Sequence, residues 1–255
     1  MFQKLKEYQF LLEELTKRDF RKKYKRTMLG VFWSVLSPLL TLFVMKLVFG
    51  TFFGRSTPFY TTYLFAGNLI FSYFKESTTL GMSTLINNAD IYSKVNIPKY
   101  MFVLSSNVSS LINFLVTLVV FFIFAAIDGV TFSWKFLMLI YPTLCLMAFN
   151  IGMGLILSAI YVFFRDTQDL YNVVTLLLMY LSAIFYQITT FPVTVQRLFL
   201  LNPVYAYISY FRSIVIDNTI PSAAFHLLPL FWAAAALFVG GMIYKKNNQR
   251  FMYYV

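Results

Sequence analysis

The residues with the most chemical potential come early. Lys17, Arg18, Arg21, Lys22, Lys23, Lys25 and Arg26 crowd around a single acid, Asp19. Such a cationic cluster can hold phosphate, whether of a nucleic acid or of a lipid headgroup. It runs directly into an apolar stretch from Val31, which favours the headgroup and argues against nucleic acid. Catalytic constellations are missing. There is no Gly-x-x-x-x-Gly-Lys-[Ser/Thr] loop, so the chain does not bind ATP in the P-loop manner. The one histidine, His226, has no second His, Cys or carboxylate cluster beside it, and no metal site is expected. Asp128 and Asp217 stand alone in sequence, so paired-carboxylate glycosyl chemistry is not indicated. The centres of the apolar runs carry no acids of the kind that proton- or sodium-coupled carriers use. Energy for any transport must come from a partner.

These residues need a frame, and the composition supplies an apolar one. Of 255 residues, 59% are hydrophobic and only 12% are charged, with a mean hydropathy of +0.69. A soluble chain carries about twice that charge. The pattern predicts an all-α integral membrane protein with six transmembrane helices, at 31–53, 59–81, 103–127, 134–164, 170–188 and 225–244. In the preceding segment, 1–28, Leu5, Tyr8, Leu12 and Leu15 recur at helical spacing opposite Glu7, Glu13, Glu14 and Lys17. That is an amino-terminal amphipathic helix lying in the interface, followed by the basic collar. Between 189 and 222 the apolar pieces are too short to cross and are cut by Pro192, Pro203 and Pro221, which predicts re-entrant outer helices between spans five and six.

Charge orients the frame. On this topology the inner side holds 15 Lys and Arg and the outer side four, namely Arg55, Lys135, Arg197 and Arg212, so both termini are expected inside. Within the third span, Ser106, Ser110, Asn113 and Thr117 share one face; they can bond a neighbouring helix or wall a hydrophilic conduit. Lys75 and Glu76 are adjacent and point to different faces, so no ion pair between them is implied. The run 134–164 exceeds a perpendicular span, which predicts tilt, a kink near Pro142, or extension into the cytoplasm.

At four places the residues become familiar. "RDFRKKYKRTMLGVFWSVLSPLL", "NNADIYSKVNIP", "RDTQDL" and "NPVYAYISYFR" occur in an order and at topological positions that fit one family. The first resembles the amino-terminal signature of the membrane subunits of type-2 ABC exporters for polysaccharide and polyol phosphate, through Arg18, Asp19, Tyr24, Leu29, Gly30, Trp33 and Pro38. The others resemble that family's inner loop, the loop before its fifth span and its outer segment. Lys23, Ile97 and Ser182 depart from the residues common there.

The resemblance implies a homodimer in the bacterial cytoplasmic membrane, working with two copies of a separate ATPase that carries the ATP and Mg; this chain itself needs no cofactor. It implies a lipid-linked glycan or polyol-phosphate polymer as cargo. The loop 84–99 becomes a coupling helix that docks on the ATPase, with Asn88, Asp90, Lys94 and Pro98, and Arg165, Asp166 and Asp169 form a second contact. The collar residues Arg18, Arg21, Lys22, Lys23, Lys25 and Arg26 become binders of an anionic headgroup. Because aromatic rings stack on sugar faces, Tyr63, Phe65, Tyr73, Tyr180, Phe185 and Tyr186 are candidates for lining the conduit. Two alternatives stay open: an exporter of a drug or small lipid, and a membrane glycosyl- or phosphotransferase.

Overall fold

A computed structural model describes residues 2–24, 30–54, 58–95, 97–248 and 250–254. Among these, all regular structure is helical. Helix α1, Phe2–Tyr24, is followed by α2, Trp33–Phe53, α3, Tyr60–Asn87, and a four-residue α4, Ala89–Tyr92. Next come α5, Tyr100–Ile127, α6, Ile140–Phe163, and α7, Thr167–Leu181. Two short helices, α8, Val193–Phe199, and α9, Pro203–Val215, precede α10, Ala223–Asn247.

Four helical stretches among the described residues are long and apolar enough to cross a bilayer: Trp33–Phe52, Tyr100–Ile127, Trp134–Phe163 and Ala223–Asn247. Helix α3 has the length, with 28 residues, but its polar side chains dilute its hydropathy. They do so because α3 is the central helix. It packs against both α5 and α6, and nearly every residue from Tyr60 to Phe74 is buried. A helix enclosed by other helices can carry Asn and Thr where a lipid-facing one cannot.

Several boundaries differ from expectation. The expected coupling segment, 84–99, opens with the last turn of α3, which runs to Asn87, and beyond that is helical only over Ala89–Tyr92. The run from Trp134 starts as a 3-10 helix to Leu139 before α6 begins. Pro142 therefore falls in the first turn of α6, where a missing N–H and a fixed φ are tolerated, and it needs no kink. Helix α7 stops at Leu181, short of the expected 188; Ala183 then takes a positive φ of 49°, which a continuing helix cannot accommodate.

Caps and close contacts fix several helix ends and one helix crossing. The Asp128 carboxylate accepts from the Thr62 backbone N–H and hydroxyl, both at 2.8 Å, satisfying a first-turn donor of α3 from the end of α5. Asn202 caps α9 through the Val204 and Tyr205 N–H groups and donates to Leu181 O and Ser182 Oγ. Helices α6 and α10 lie against each other through Gly152 and Gly240: a Cβ on Gly240 would stand 2.7 Å from the Gly152 carbonyl oxygen.

Candidate functional site

Two helices face each other with polar stripes. On α3, Asn68, Ser72, Glu76, Thr79, Ser83 and Asn87 recur every three or four residues, and on α5 the matching positions are Ser106, Ser110, Asn113 and Thr117. The same 3.6 periodicity that aligns an apolar face aligns these. Between the stripes, with α1 across one end and α2 along the side, lie two cavities. The larger, about 590 Å³, is lined by Arg18, Asp19, Lys22, Lys23, Lys75 and Glu76 together with the Ser, Thr and Asn side chains of α3 and α5. The smaller, about 380 Å³, is walled by Asn68, Ser110, Asn113, Thr117, Trp33 and Tyr73, among others. Lys23, Ser72 and Glu76 border both, so the cavities form one trough.

Each charged group in the trough has a defined hold. Asp19 accepts from the Arg18 guanidinium at 2.6 Å and from the Ser105 hydroxyl at 2.9 Å, which pins the collar end of α1 to α5. Lys23 Nζ donates to Glu76 Oε1 at 2.7 Å, and Asn113 Nδ2 donates to the same oxygen at 2.8 Å. Glu76 thus ties α1, α3 and α5 together where the two cavities meet. Deeper, Tyr73 OH donates to Asn107 Oδ1 at 3.2 Å and Asn107 Nδ2 to Ser77 Oγ at 2.6 Å.

The α5 stripe bonds neighbouring helices at two of its four positions, Asn113 to Glu76 and Thr117 to the Ser34 carbonyl, and all four residues border the trough. Ser106, Ser110 and Thr117 turn their hydroxyls onto their own helix carbonyls, so they present polar surface to the trough without leaving a buried donor unmade. Asn113 reaches across to Glu76. Lys75 and Glu76 do not pair; Glu76 takes Lys23 and Lys75 is exposed beside the larger cavity.

The collar residues fall as follows. Arg18, Lys22 and Lys23 line the trough, Arg21 is exposed elsewhere on α1, and Lys25 and Arg26 lie outside the described residues. Lys75 and Glu76 were not singled out for this site by sequence reasoning. The signal was there in the spacing of Ser72, Glu76, Thr79 and Ser83.

The aromatic candidates are not gathered on one surface. Phe65 is wholly buried, edge-on to Phe121 and Phe124, and belongs to the core rather than to a wall. Tyr73 borders the smaller cavity. Phe185 is buried and stacks on Phe49 at 4.5 Å. Tyr63 is buried under the Arg212 guanidinium, 3.4 Å from its ring centroid, and donates to Tyr186 O at 2.6 Å. Only Tyr180 is exposed, with Tyr186 half-buried nearby. Arg212 itself is 7% exposed and donates to the carbonyls of Tyr63, Ala183 and Ile184, fastening α9 to α3 and to the turn after α7. It is a structural clasp between these elements.

At the carboxyl-terminal end of α3, Asn88 is buried and donates to Thr84 O at 2.7 Å, which makes it a helix-end fastener. Asp90 and Lys94 are exposed on and after α4, and Pro98 is half-buried. Arg165, Asp166 and Asp169 are exposed around the start of α7. The two loops are neighbours: the Arg165 charge acts on the Tyr92 hydroxyl, whose pKa burial raises and Arg165 draws back down.

Among known proteins, the chain is similar to permease proteins of O-antigen export systems, each named RfbA. One from Klebsiella pneumoniae is 28% identical over 243 residues, covering 94% of this chain and 93% of the relative. One from Myxococcus xanthus is 26% identical over 246 residues, with 93% and 95% covered. A family profile described as ABC-2 type transporter matches residues 11–216, from the apolar face of α1 through the trough to the end of α9. A membrane-embedded helical chain matched over most of its length in this way belongs to the ABC-2 type transporter membrane family.

Proposed function

We propose that this chain is the membrane subunit of an ATP-driven exporter that moves a lipid-linked polysaccharide, or a polyol-phosphate polymer of the teichoic-acid type, across the bacterial cytoplasmic membrane. One observation carries the reading. The trough has a cationic mouth at Arg18, Lys22, Lys23 and Lys75 and continues into walls of hydroxyl and amide groups with Trp33 and Tyr73 beside them. An anionic headgroup followed by hydroxyl-rich sugars matches that sequence of surfaces. The names of the relatives, O-antigen export permeases, support the same cargo class.

In this reading α2, α3, α5, α6, α7 and α10 are the six spans, with both termini inside. Helix α7 has 15 residues and so reaches only about 22 Å. A hydrocarbon layer of about 30 Å then needs the turn after it, and α8 and α9 re-enter from the outer face to complete the crossing. Helix α2 exposes Phe43, Leu47 and Phe52, and α7 exposes Leu170, Val173 and Leu177. A second copy of the chain lying on these faces makes the homodimer. Lys46, exposed midway along α2, supports this, because an ammonium facing lipid is costly and one facing a hydrated conduit is not. Tyr180 and Tyr186 border that conduit.

Two copies of a separate ATPase, which hold ATP and Mg, sit beneath, against Asp90 and Lys94 on one loop and Arg165, Asp166 and Asp169 on the other. The test is glycan location in cells that lack the chain. The expected result is loss of the surface polymer with accumulation of its lipid-linked form inside, restored by the intact gene; unchanged surface polymer contradicts the reading.

A further inference from the structure

The carboxyl-terminal residues fold back onto the cytoplasmic ends of the helices. After α10 ends at Asn247, the 3-10 segment Arg250–Tyr253 returns toward α6. Phe251 is wholly buried, with its ring 5.2 Å from Tyr244 and 5.9 Å from Phe163, the last residue of α6. Tyr254 meets the same Phe163 edge-on at 5.0 Å. The loop with Arg165, Asp166 and Asp169 starts immediately beyond Phe163.

The same tail holds the other loop. Lys99, at the threshold of α5, is 9% exposed, and its Nζ donates to Asn248 O at 2.8 Å and to Asn248 Oδ1 at 3.4 Å. The ammonium lies 5.6 Å from the ring centroid of Tyr92, the last residue of α4. It has no carboxylate partner among the described residues. A buried cation held by neutral oxygens is a poor way to gain stability, since desolvation offsets much of the attraction. It is a good way to fix a distance. The two Asn248 oxygens fix the start of α5 against the end of α10, and the Tyr92 ring fixes it against α4.

We propose that Lys99 and Phe251 are positioning residues of a brace, built from the carboxyl-terminal tail, that makes the two cytoplasmic loops and α10 move as one body. A push on α4 then passes through Lys99 to α10 and through Phe251 to α6, instead of being absorbed by bending of the loops. The close Gly152–Gly240 crossing carries that displacement along α6 and α10 into the membrane. The proposal rests on the reading of these loops as the ATPase contacts.

The experiment uses the complex of this chain with its genetically neighbouring ATPase in proteoliposomes, with undecaprenyl-diphosphate-linked glycan from the same cell as the probe. For the unaltered complex and for Lys99→Met, Lys99→Arg, Phe251→Ala and Phe251→Met, it reads ATPase bound per permease and ATP hydrolysed per glycan moved. The expected result for Lys99→Met and Phe251→Ala is an unchanged amount of bound ATPase with ATP per glycan raised about threefold or more. Lys99→Arg and Phe251→Met, which keep the donor and the apolar volume, stay near the unaltered value. Should Phe251→Ala not fold, Lys99→Met and Phe251→Met carry the comparison. An unchanged ratio in Lys99→Met overturns the brace, including where less complex assembles, because a purely structural role lowers the amount and not the ratio. Absence of ATPase from the unaltered preparation overturns the docking reading itself.

Discussion

Lys23 and Glu76 meet at 2.7 Å where the two cavities join, linking the last turns of α1 to the carboxyl-terminal half of α3. Their side chains are 39% and 30% exposed, so the pair contributes at most about 1 kcal/mol to stability. Its position matters more than its energy. On the proposed export route, an anion entering from the collar would compete with Glu76 for Lys23, and a ligand reaching from one cavity to the other would pass between them.

Glu76→Gln should therefore leave thermal stability within about 1 kcal/mol of the unaltered chain. Its glycan-stimulated ATPase in the assembled complex should change severalfold. The exchange Lys23→Glu with Glu76→Lys should recover more activity than either single change. Matched unfolding curves and ATPase titrations check both parts.

Arg212 gives a stability prediction of the opposite kind. Arg212→Met leaves the Ala183 and Ile184 carbonyls, in the turn after α7, without their guanidinium donors. A loss of about 2–4 kcal/mol follows, measured by denaturant unfolding in detergent. Arg212→Lys should recover only part, because one ammonium cannot reproduce the planar fork.

The α6–α10 crossing separates two neighbouring glycines. Gly240→Ala places a Cβ 2.7 Å from the Gly152 carbonyl oxygen and 3.0 Å from Leu155 Cβ, and it should cost about 1–3 kcal/mol. Gly241→Ala meets nothing within 4 Å and should be neutral or slightly stabilising. Melting temperatures of the two variants give the comparison.

Burial holds the Lys99 ammonium below the ordinary lysine value of 10.5. The unfolded chain consequently binds this proton more tightly than the folded one. Stability contributed at this site should rise as the pH climbs from the lowered pKa towards 10.5, and it should not vary below that window. Lys99→Met should flatten this part of the stability–pH curve, as read by thermal unfolding across the alkaline range.

Much of the helical frame was legible because hydropathy and helical period act locally. The apolar runs at 31–53, 103–127 and 225–244 closely match α2, α5 and α10. The collar's cations, Arg18, Lys22 and Lys23, were also visible as a cluster. Glu76 was harder to place, because its partners Lys23 and Asn113 come from helices 53 and 37 residues away. The aromatic candidates could not be sorted from sequence for a related reason: a Phe suited to a sugar face is equally suited to a core, and only tertiary packing sends Phe65 inward and Tyr180 outward. The end of α7 depended on the backbone at Ala183, held there by an arginine 29 residues away. The tail brace was illegible too, since Lys99 and Asn248 are 149 residues apart.

The central claim is ATP-driven export of a lipid-linked glycan through this chain. Its most direct test is ATP hydrolysis by the purified chain with its genetically neighbouring ATPase in lipid nanodiscs, with and without undecaprenyl-diphosphate-linked glycan from the same cell. The account predicts hydrolysis that requires both subunits, responds to the glycan lipid and loses that response with substitutions at Asp90 and Lys94. Failure of the ATPase to co-purify, together with chemical modification of the lipid by the chain alone, would contradict it.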